Sequence, residues 1–145
     1  MNYKNNKFYI ENISIVKLAK SFQTPFYCYS KSRLNENIIN FKKNFEKTKP
    51  LICFSVKSNS NSKLLKIIKD NGLGADVVSI GELQKVLKVG FKTDKIVFSG
   101  VGKTINELDF AIKKKILLIN VESESELKNI INLSKNRKAK VNIGI

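Results

Sequence analysis

The stretch LICFSVKSNSNSKLLKIIKDNG, residues 51–72, joins an apolar run, a polar turn and a segment whose apolar residues recur at helical spacing. The same order repeats along the chain, with apolar runs at residues 51–56, 74–78, 95–98, 116–121 and 139–145. The interval between runs is roughly twenty residues, the length of one strand, one turn and one crossover helix. The sequence therefore predicts serial βα units and a parallel sheet.

Helix boundaries are marked by short motifs. SIGE (79–82), TINE (104–107) and SESE (123–126) each have the spacing of a capping box, in which a hydroxyl and a carboxylate satisfy amides of the first helical turn. Gly72 and Gly90 each follow an amphipathic segment, at the position where a left-handed C-terminal cap favours glycine. Three helices are thus predicted to begin at these boxes and two to end at these glycines.

The first strand shows which closed architecture to expect. Its alternation places Phe54 and Val56 on one face and Cys53, Ser55 and Lys57 on the other. A face that is small and then polar at its end is typical of a barrel interior, whereas an open doubly wound sheet is more often apolar on both faces. The pattern favours a partial (β/α)8 barrel over an open sheet.

Composition narrows the function classes. The 145 residues carry a formal charge of +15, but only Arg33 and Arg137 are arginine, and the lysines are scattered. This distribution predicts a solvated surface and no nucleic-acid site. Cys28 and Cys53 lack CxxC spacing and histidine is absent, so no metal site is predicted. No apolar run is long enough for a membrane span, and no signal peptide is recognisable, which predicts a cytoplasmic protein with no membrane partner.

The N-terminal region follows a different pattern. ISIVKLAKSF predicts a short helix, QTPFYCYS an extended segment entered at Pro25, and KSRLNENIINFKKNFEK a longer helix. The opening residues MNYKNNK are predicted to fray.

Five segments carry a resemblance to a known family. TPFYCYS (24–30), CFSVKSNSN (53–61), GLGADVVSIGEL (72–83), KIVFSGVGKT (95–104) and INVESESEL (119–127) resemble, in order and spacing, the N-terminal part of the diaminopimelate decarboxylases. These are fold-type III enzymes that use pyridoxal 5'-phosphate. The resemblance implies an alanine-racemase-like (β/α)8 barrel with about five of eight strands present and the C-terminal β domain missing. Residues 1–30 would be an N-terminal extension, and 31–145 the first part of the cofactor-binding barrel.

The resemblance also implies site residues. Lys57 matches the family's Schiff-base lysine, which would be both catalytic and cofactor-binding, because a neutral lysine amine can attack an aldehyde. Asp76 matches an acidic position near the cofactor; the alternative is a strand-end carboxylate paired with a lysine. Ser79 and Glu82 are candidates for the pocket, although the capping box already accounts for both.

Two turns complete the candidate pocket. Asn59 and Ser99 are turn residues that would line it. The segment SGVGKT looks like a phosphate-binding P-loop, but the motif requires glycine where Val97 stands. It is predicted to be the turn from the third strand into its helix.

The function implied for the full-length homodimer is decarboxylation of meso-2,6-diaminopimelate to L-lysine and carbon dioxide. The 145 residues by themselves are expected to be an inactive, poorly soluble N-terminal fragment, because an unpaired strand edge and the barrel interior would meet water. Two alternatives stay open: another fold-type III enzyme, such as a basic amino acid decarboxylase or a racemase, and a non-catalytic half-barrel binding protein.

Overall fold

Within residues 2–145, which the computed structural model describes, the strands form a three-stranded antiparallel sheet and a five-stranded parallel sheet. The two sheets belong to different compact units, Met1–Lys47 and Thr48–Ile145. The predicted domain division after residue 30 stays a prediction.

The first unit begins with a meander of three strands followed by two helices. Its elements are β1 (Asn2–Lys4), β2 (Lys7–Ile10), β3 (Ile13–Ser14), α1 (Ile15–Ser21) and α2 (Lys31–Lys43). Strand β1 pairs antiparallel with β2 through a turn in which Asn5 and Asn6 both have positive φ, as tight hairpin turns require. The prediction that the opening residues fray is therefore wrong for residues 2–7, and Met1 lies outside the described residues. Both predicted helices are confirmed.

The second unit is the predicted series of βα repeats. Its elements are β4 (Cys53–Ser55), α3 (Ser62–Asp70), β5 (Gly74–Val77), α4 (Ile80–Val89), β6 (Ile96–Phe98), α5 (Ile105–Lys114), β7 (Leu118–Asn120), α6 (Glu124–Arg137) and β8 (Ile143–Gly144). The strands are parallel and lie in chain order. The predicted α/β class with a parallel sheet is confirmed.

One face of this sheet holds the core. In β5, Ala75 and Val77 are fully buried, while Asp76 between them is only partly buried. The fully buried set comprises side chains from one strand face and from the helices: Val56, Leu65, Ala75, Val77, Leu83, Val86, Ile96, Phe98, Leu108 and Ala111. Burial of this apolar face stabilises the unit. The opposite face carries Ser55, Asp76 and Asn120 near the strand ends, but also the partly buried apolar side chains Val97 and Leu118, so the small and polar character that the first strand predicts holds only for the carboxyl-terminal edge.

Helix ends follow the sequence signals. Gly90 caps α4 with φ 92°, and Gly72 follows α3 with φ 79°. Helices α4, α5 and α6 begin directly after Ser79, Thr104 and Ser123, whose hydroxyls each accept a hydrogen bond from the amide three residues on. Both predicted stops and all three predicted starts are confirmed. Only Thr104 and Glu107 complete the reciprocal capping box within the described residues.

Candidate functional site

Polar side chains from four adjacent strand ends form a continuous hydrogen-bonded row, here called the polar row: Ser55, Asp76, Ser99 and Asn120. The Ser55 hydroxyl donates to Asp76 Oδ2 at 2.9 Å, and the Ser99 hydroxyl donates to Asp76 Oδ1 at 2.5 Å. Asn120 Nδ2 donates to Ser99 Oγ at 2.9 Å. The polar row therefore links the carboxyl ends of β4, β5, β6 and β7.

Strand register explains why these residues meet. Ser55 lies directly opposite Asp76, and Asn120 lies opposite Gly144 of β8. A Cβ atom at Gly144 would lie 2.5 Å from Asn120 Oδ1. The absence of a side chain at Gly144 thus leaves the space that the Asn120 amide occupies, and the polar row reaches the fifth strand.

Lys57 lies just beyond this edge of the sheet. It is exposed and sits in a single 3-10 turn, Val56–Ser58, that follows β4 directly. Val56 is fully buried, and the Ser58 hydroxyl donates to the Ser55 carbonyl at 2.7 Å, so the turn is anchored on both sides of Lys57. Within residues 2–145, Lys57 Nζ makes no hydrogen bond or ion pair.

Asp76 has hydroxyl partners and no ion pair with a lysine within residues 2–145. The alternative prediction, that Asp76 is a strand-end carboxylate paired with a lysine, is therefore wrong. Burial raises the pKa of the nearby Cys53 thiol, and the negative charge of Asp76 raises that pKa further. The thiol beside the polar row is therefore held in its neutral form.

The other predicted pocket residues hold turns at the same edge. Asn59 Oδ1 accepts a hydrogen bond from the amide of Asn61, at the start of α3. Ser79 Oγ accepts from the Glu82 amide at 3.2 Å, and Glu82 Oε2 accepts from the Val78 amide at 2.9 Å. The structure thus joins Asp76 and Ser99 in the polar row and uses Asn59, Ser79 and Glu82 in backbone turns.

Glu107 binds backbone amides of two different helix starts. Glu107 accepts from the amide and hydroxyl of Thr104, and its other oxygen accepts from the Ile80 amide of the preceding repeat at 3.0 Å. The Thr104 amide contributes most to lowering the pKa of Glu107, while partial burial opposes that shift. Glu107 therefore joins the starts of α4 and α5.

The turn after β6 contains a buried lysine. Lys103 Nζ donates to Glu126 Oε1 at 2.8 Å and to the Gly100 carbonyl at 2.7 Å. The side chains of Lys103 and Glu126 are 1% and 6% exposed. Because this lysine is bound inside the protein and the segment links β6 to α5, the rejection of a P-loop is supported by the geometry.

The sequence reasoning did not select Ser55 and Asn120 as site residues. Ser55 lies on the face already recognised as small and polar. Asn120 is a polar residue inside an otherwise apolar run, and that interruption is the signal that identifies it.

The described part of the chain, residues 2–145, has neither a metal-binding cluster nor a membrane-spanning helix. No cluster of three or more acidic, histidine or cysteine side chains is arranged to hold a metal ion. None of the helices is both long and apolar enough to cross a membrane.

Comparison with known proteins gives a consistent result. Residues 31–145 match the family described as pyridoxal-dependent decarboxylase, pyridoxal binding domain. Diaminopimelate decarboxylase of Helicobacter pylori strain J99 is 44% identical over 129 residues, which cover 89% of this chain and 32% of that protein. The chain thus spans about a third of the length of the curated relatives it matches.

Solved structures of similar proteins indicate the same family. A crystal structure of a protein from Aquifex aeolicus is similar with a TM-score of 0.94 and 39% identity, over 99% of this chain and 36% of that one. The structure of diaminopimelate decarboxylase from Helicobacter pylori complexed with L-lysine is similar with a TM-score of 0.85 and 42% identity, over 89% of this chain and 33% of that one. These similarities confirm the predicted barrel type for the part that the chain covers.

Proposed function

The chain belongs to the pyridoxal-dependent decarboxylases, through their pyridoxal binding domain, and from this premise we propose that the protein containing it decarboxylates meso-2,6-diaminopimelate to L-lysine. The observation that supports this most directly is Lys57, an exposed lysine without a bonded partner within residues 2–145, on the turn that directly follows β4 and its polar-row residue Ser55.

The residues present fit pyridoxal 5'-phosphate. A lysine that is to bond covalently to an aldehyde must have an accessible amine, and Lys57 is exposed on a turn anchored by buried Val56. The face of the sheet at this edge carries hydroxyl, carboxylate and amide groups, which suit a polar cofactor better than an apolar face would. When bound, the cofactor supplies an electron sink for the electron pair left as carbon dioxide departs.

In this proposal the side-chain amine of Lys57 would hold the cofactor through its aldehyde. Asp76, on the neighbouring strand β5, would orient the cofactor. Its carboxylate is fixed by hydrogen bonds from Ser55 and Ser99 to its two oxygens, and a fixed charge needs little reorganisation when the reaction occurs. Asn59, Ser79 and Glu82 shape the turns around this position.

Substrate and assembly are proposed from the relatives. The closely similar Helicobacter pylori enzyme is named diaminopimelate decarboxylase and was crystallised with L-lysine. We therefore propose meso-diaminopimelate, a small molecule, as the substrate. A homodimer in the cytoplasm as the working form, with neither nucleic acid nor a membrane as partner, is proposed from the sequence resemblance to the family and not from that structure.

The test is reductive trapping combined with a substrate panel. The protein containing this chain is incubated with pyridoxal phosphate, reduced with borohydride and digested, and the mass of the pyridoxyl group is mapped. We expect it on Lys57, with loss of labelling and activity in Lys57→Ala and retention of both in Lys63→Ala, an exposed lysine of α3. Labelling of a different lysine would contradict the assignment.

The panel separates the alternatives. Carbon dioxide release is compared for meso-diaminopimelate, ornithine, arginine and lysine, and racemisation is followed with single enantiomers. Preference for another substrate, with Lys57 still labelled, would indicate another enzyme of the same fold type. Absence of labelling and of turnover in the full protein would favour the non-catalytic binding protein.

A further inference from the structure

Lys103 and Glu126 form an ion pair that is not part of the polar row. The pair connects the segment that follows β6 with the segment that follows β7. Lys103 belongs to the turn between β6 and α5, and Glu126 lies in the first turn of α6, which follows β7. Ser99 directly follows β6, and Asn120 is the last residue of β7. The pair thus joins the two segments that carry neighbouring members of the polar row.

Lys103 also fixes the backbone next to Ser99. Its Nζ donates to the carbonyl of Gly100, the residue that follows Ser99. Gly100 has φ 94°, and a Cβ atom there would lie 3.2 Å from Val78 Cβ, so this backbone already packs closely on Val78, the residue that follows β5. The carbonyl contact on one side and Val78 on the other leave the Ser99 backbone little freedom.

The hydrogen-bond partners of Glu126 indicate what the ion pair is for. Ser123 accepts the Glu126 amide as a helix cap, but the Glu126 carboxylate forms the buried pair with Lys103 and no reciprocal cap bond with Ser123 within the described residues. A buried pair pays a large desolvation cost, so net stability is a weak explanation for it. The pair is better explained by a requirement that the turns after β6 and β7 keep one fixed arrangement.

We propose that Lys103 and Glu126 are positioning residues, which hold the turns after β6 and β7 so that Ser99 and Asn120 keep Asp76 in place. This inference rests on the proposed function for its kinetic consequence, since the polar row lies where that function puts the cofactor. Its structural consequence, the order of residues 99–104, is independent of that function.

The principal variant removes the pair without leaving a buried charge. The double substitution Lys103→Met with Glu126→Leu is apolar and similar in volume, so folding is expected to be retained. By hydrogen exchange, we expect residues 99–104 of the protein containing this chain to exchange about ten-fold faster, with β4 unchanged. Exchange equal to that of the unsubstituted protein would overturn the proposal, whether or not the protein is a decarboxylase.

The kinetic test is a double-mutant cycle with Ser99→Ala. We expect the double substitution to lower kcat/KM by about ten- to a hundred-fold in the native background and by less than about two-fold once Ser99 is already alanine. Equal effects in the two backgrounds would show that the pair acts by a route other than Ser99, and would overturn the proposal. Failure of the proposed function would instead appear as absence of activity in the unsubstituted protein.

A second comparison covers the case in which the double variant does not fold. Glu126→Gln keeps an oxygen that can accept from Lys103 Nζ, whereas Glu126→Ala removes it. We expect residues 99–104 to exchange faster in the alanine variant than in the glutamine variant, which keeps a hydrogen-bond acceptor for Lys103 but not the negative charge. Equal exchange in both would contradict a positioning role.

Discussion

Ser99 and Ser55 hold the two oxygens of one carboxylate, because the Ser99 hydroxyl donates to Asp76 Oδ1 and the Ser55 hydroxyl donates to Asp76 Oδ2. The three residues come from adjacent strand ends, so the backbone order of the sheet fixes the orientation of a charged group. The negative charge of Asp76 affects its neighbours. It contributes, after burial, to the raised pKa of the thiol of Cys53, which lies on the same strand as Ser55.

We predict that Asp76→Asn lowers the pKa of the Cys53 thiol. Burial is the larger cause of the raised pKa and stays in the variant, while the smaller contribution from the negative charge of Asp76 is removed. The thiol pKa should therefore move towards, but not reach, its ordinary value. The measurement is the pH dependence of the alkylation rate of Cys53, with Cys28 replaced by serine.

Ser99→Ala is the matched control for that experiment. It removes a hydrogen bond to Asp76 but leaves the carboxylate charge beside the thiol. A thiol pKa that moves as far in Ser99→Ala as in Asp76→Asn would show that the local structure, and not the charge, determines it.

Glu107 gives a prediction on acid stability. Its pKa is lowered in the folded protein, first by the hydrogen bond from the Thr104 amide, so the native state binds the proton less readily than the unfolded chain. The stabilisation is present in full above the ordinary value of 4.5 and is lost as the pH falls through the lower folded-state pKa. Glu107→Gln should lower the free energy of unfolding at pH 7 by about 1 kcal/mol.

The difference between native protein and Glu107→Gln should shrink progressively below pH 4.5, as measured by urea unfolding at a series of pH values. Glu124→Gln, at an exposed position in the first turn of α6, is the control and should show a smaller effect at pH 7. A pH-independent difference for Glu107→Gln would mean that shape, not charge, makes the contribution.

Local sequence signals predicted the βα repeat well because each acts within one helix or strand. The hydroxyls of Ser79, Thr104 and Ser123 begin helices where their spacing indicates, since a cap involves only neighbouring amides. The hydrogen-bond partners of the glutamates in these three motifs could not be predicted in this way. Glu82 binds the Val78 amide and Glu126 binds Lys103, because these partners are brought within reach only by the folded turns.

The candidate site was predictable in part for the same reason. Asp76 and Ser99 were selected at strand ends, but their contact depends on strand register, which the sequence leaves open. Asn120 completes the polar row only because β7 lies next to β6 and β8. The N-terminal hairpin was missed because polar residues such as Asn2 and Lys4 give little apolar alternation, although Asn5 and Asn6 suit its turn.

Lys57 and Lys103 should differ sharply when each is replaced by methionine. Lys57 is exposed and has no bonded partner within residues 2–145, so Lys57→Met should change the free energy of unfolding by no more than about 0.5 kcal/mol. Lys103→Met leaves the carboxylate of Glu126 buried and without its cation, at a cost of about 3 to 5 kcal/mol. Urea denaturation measures both, and equal costs would contradict the burial that distinguishes these lysines.

Two glycines should respond in opposite directions to the same methyl group. A Cβ atom at Gly74 would lie 2.5 Å from the Lys95 carbonyl oxygen and 2.6 Å from Cys53 Sγ. Gly74→Ala must therefore push β5 away from β4 and from the residue that precedes β6, at about 1 to 3 kcal/mol. Gly81 lies in α4, where the nearest atom to an added Cβ is Ser79 Oγ at 3.9 Å. Gly81→Ala should stabilise the protein by about 0.5 kcal/mol, because alanine restricts the unfolded chain more than glycine does. Thermal unfolding of the two variants measures this contrast, and an unchanged midpoint for Gly74→Ala would mean that the strands beside Gly74 can separate at little cost.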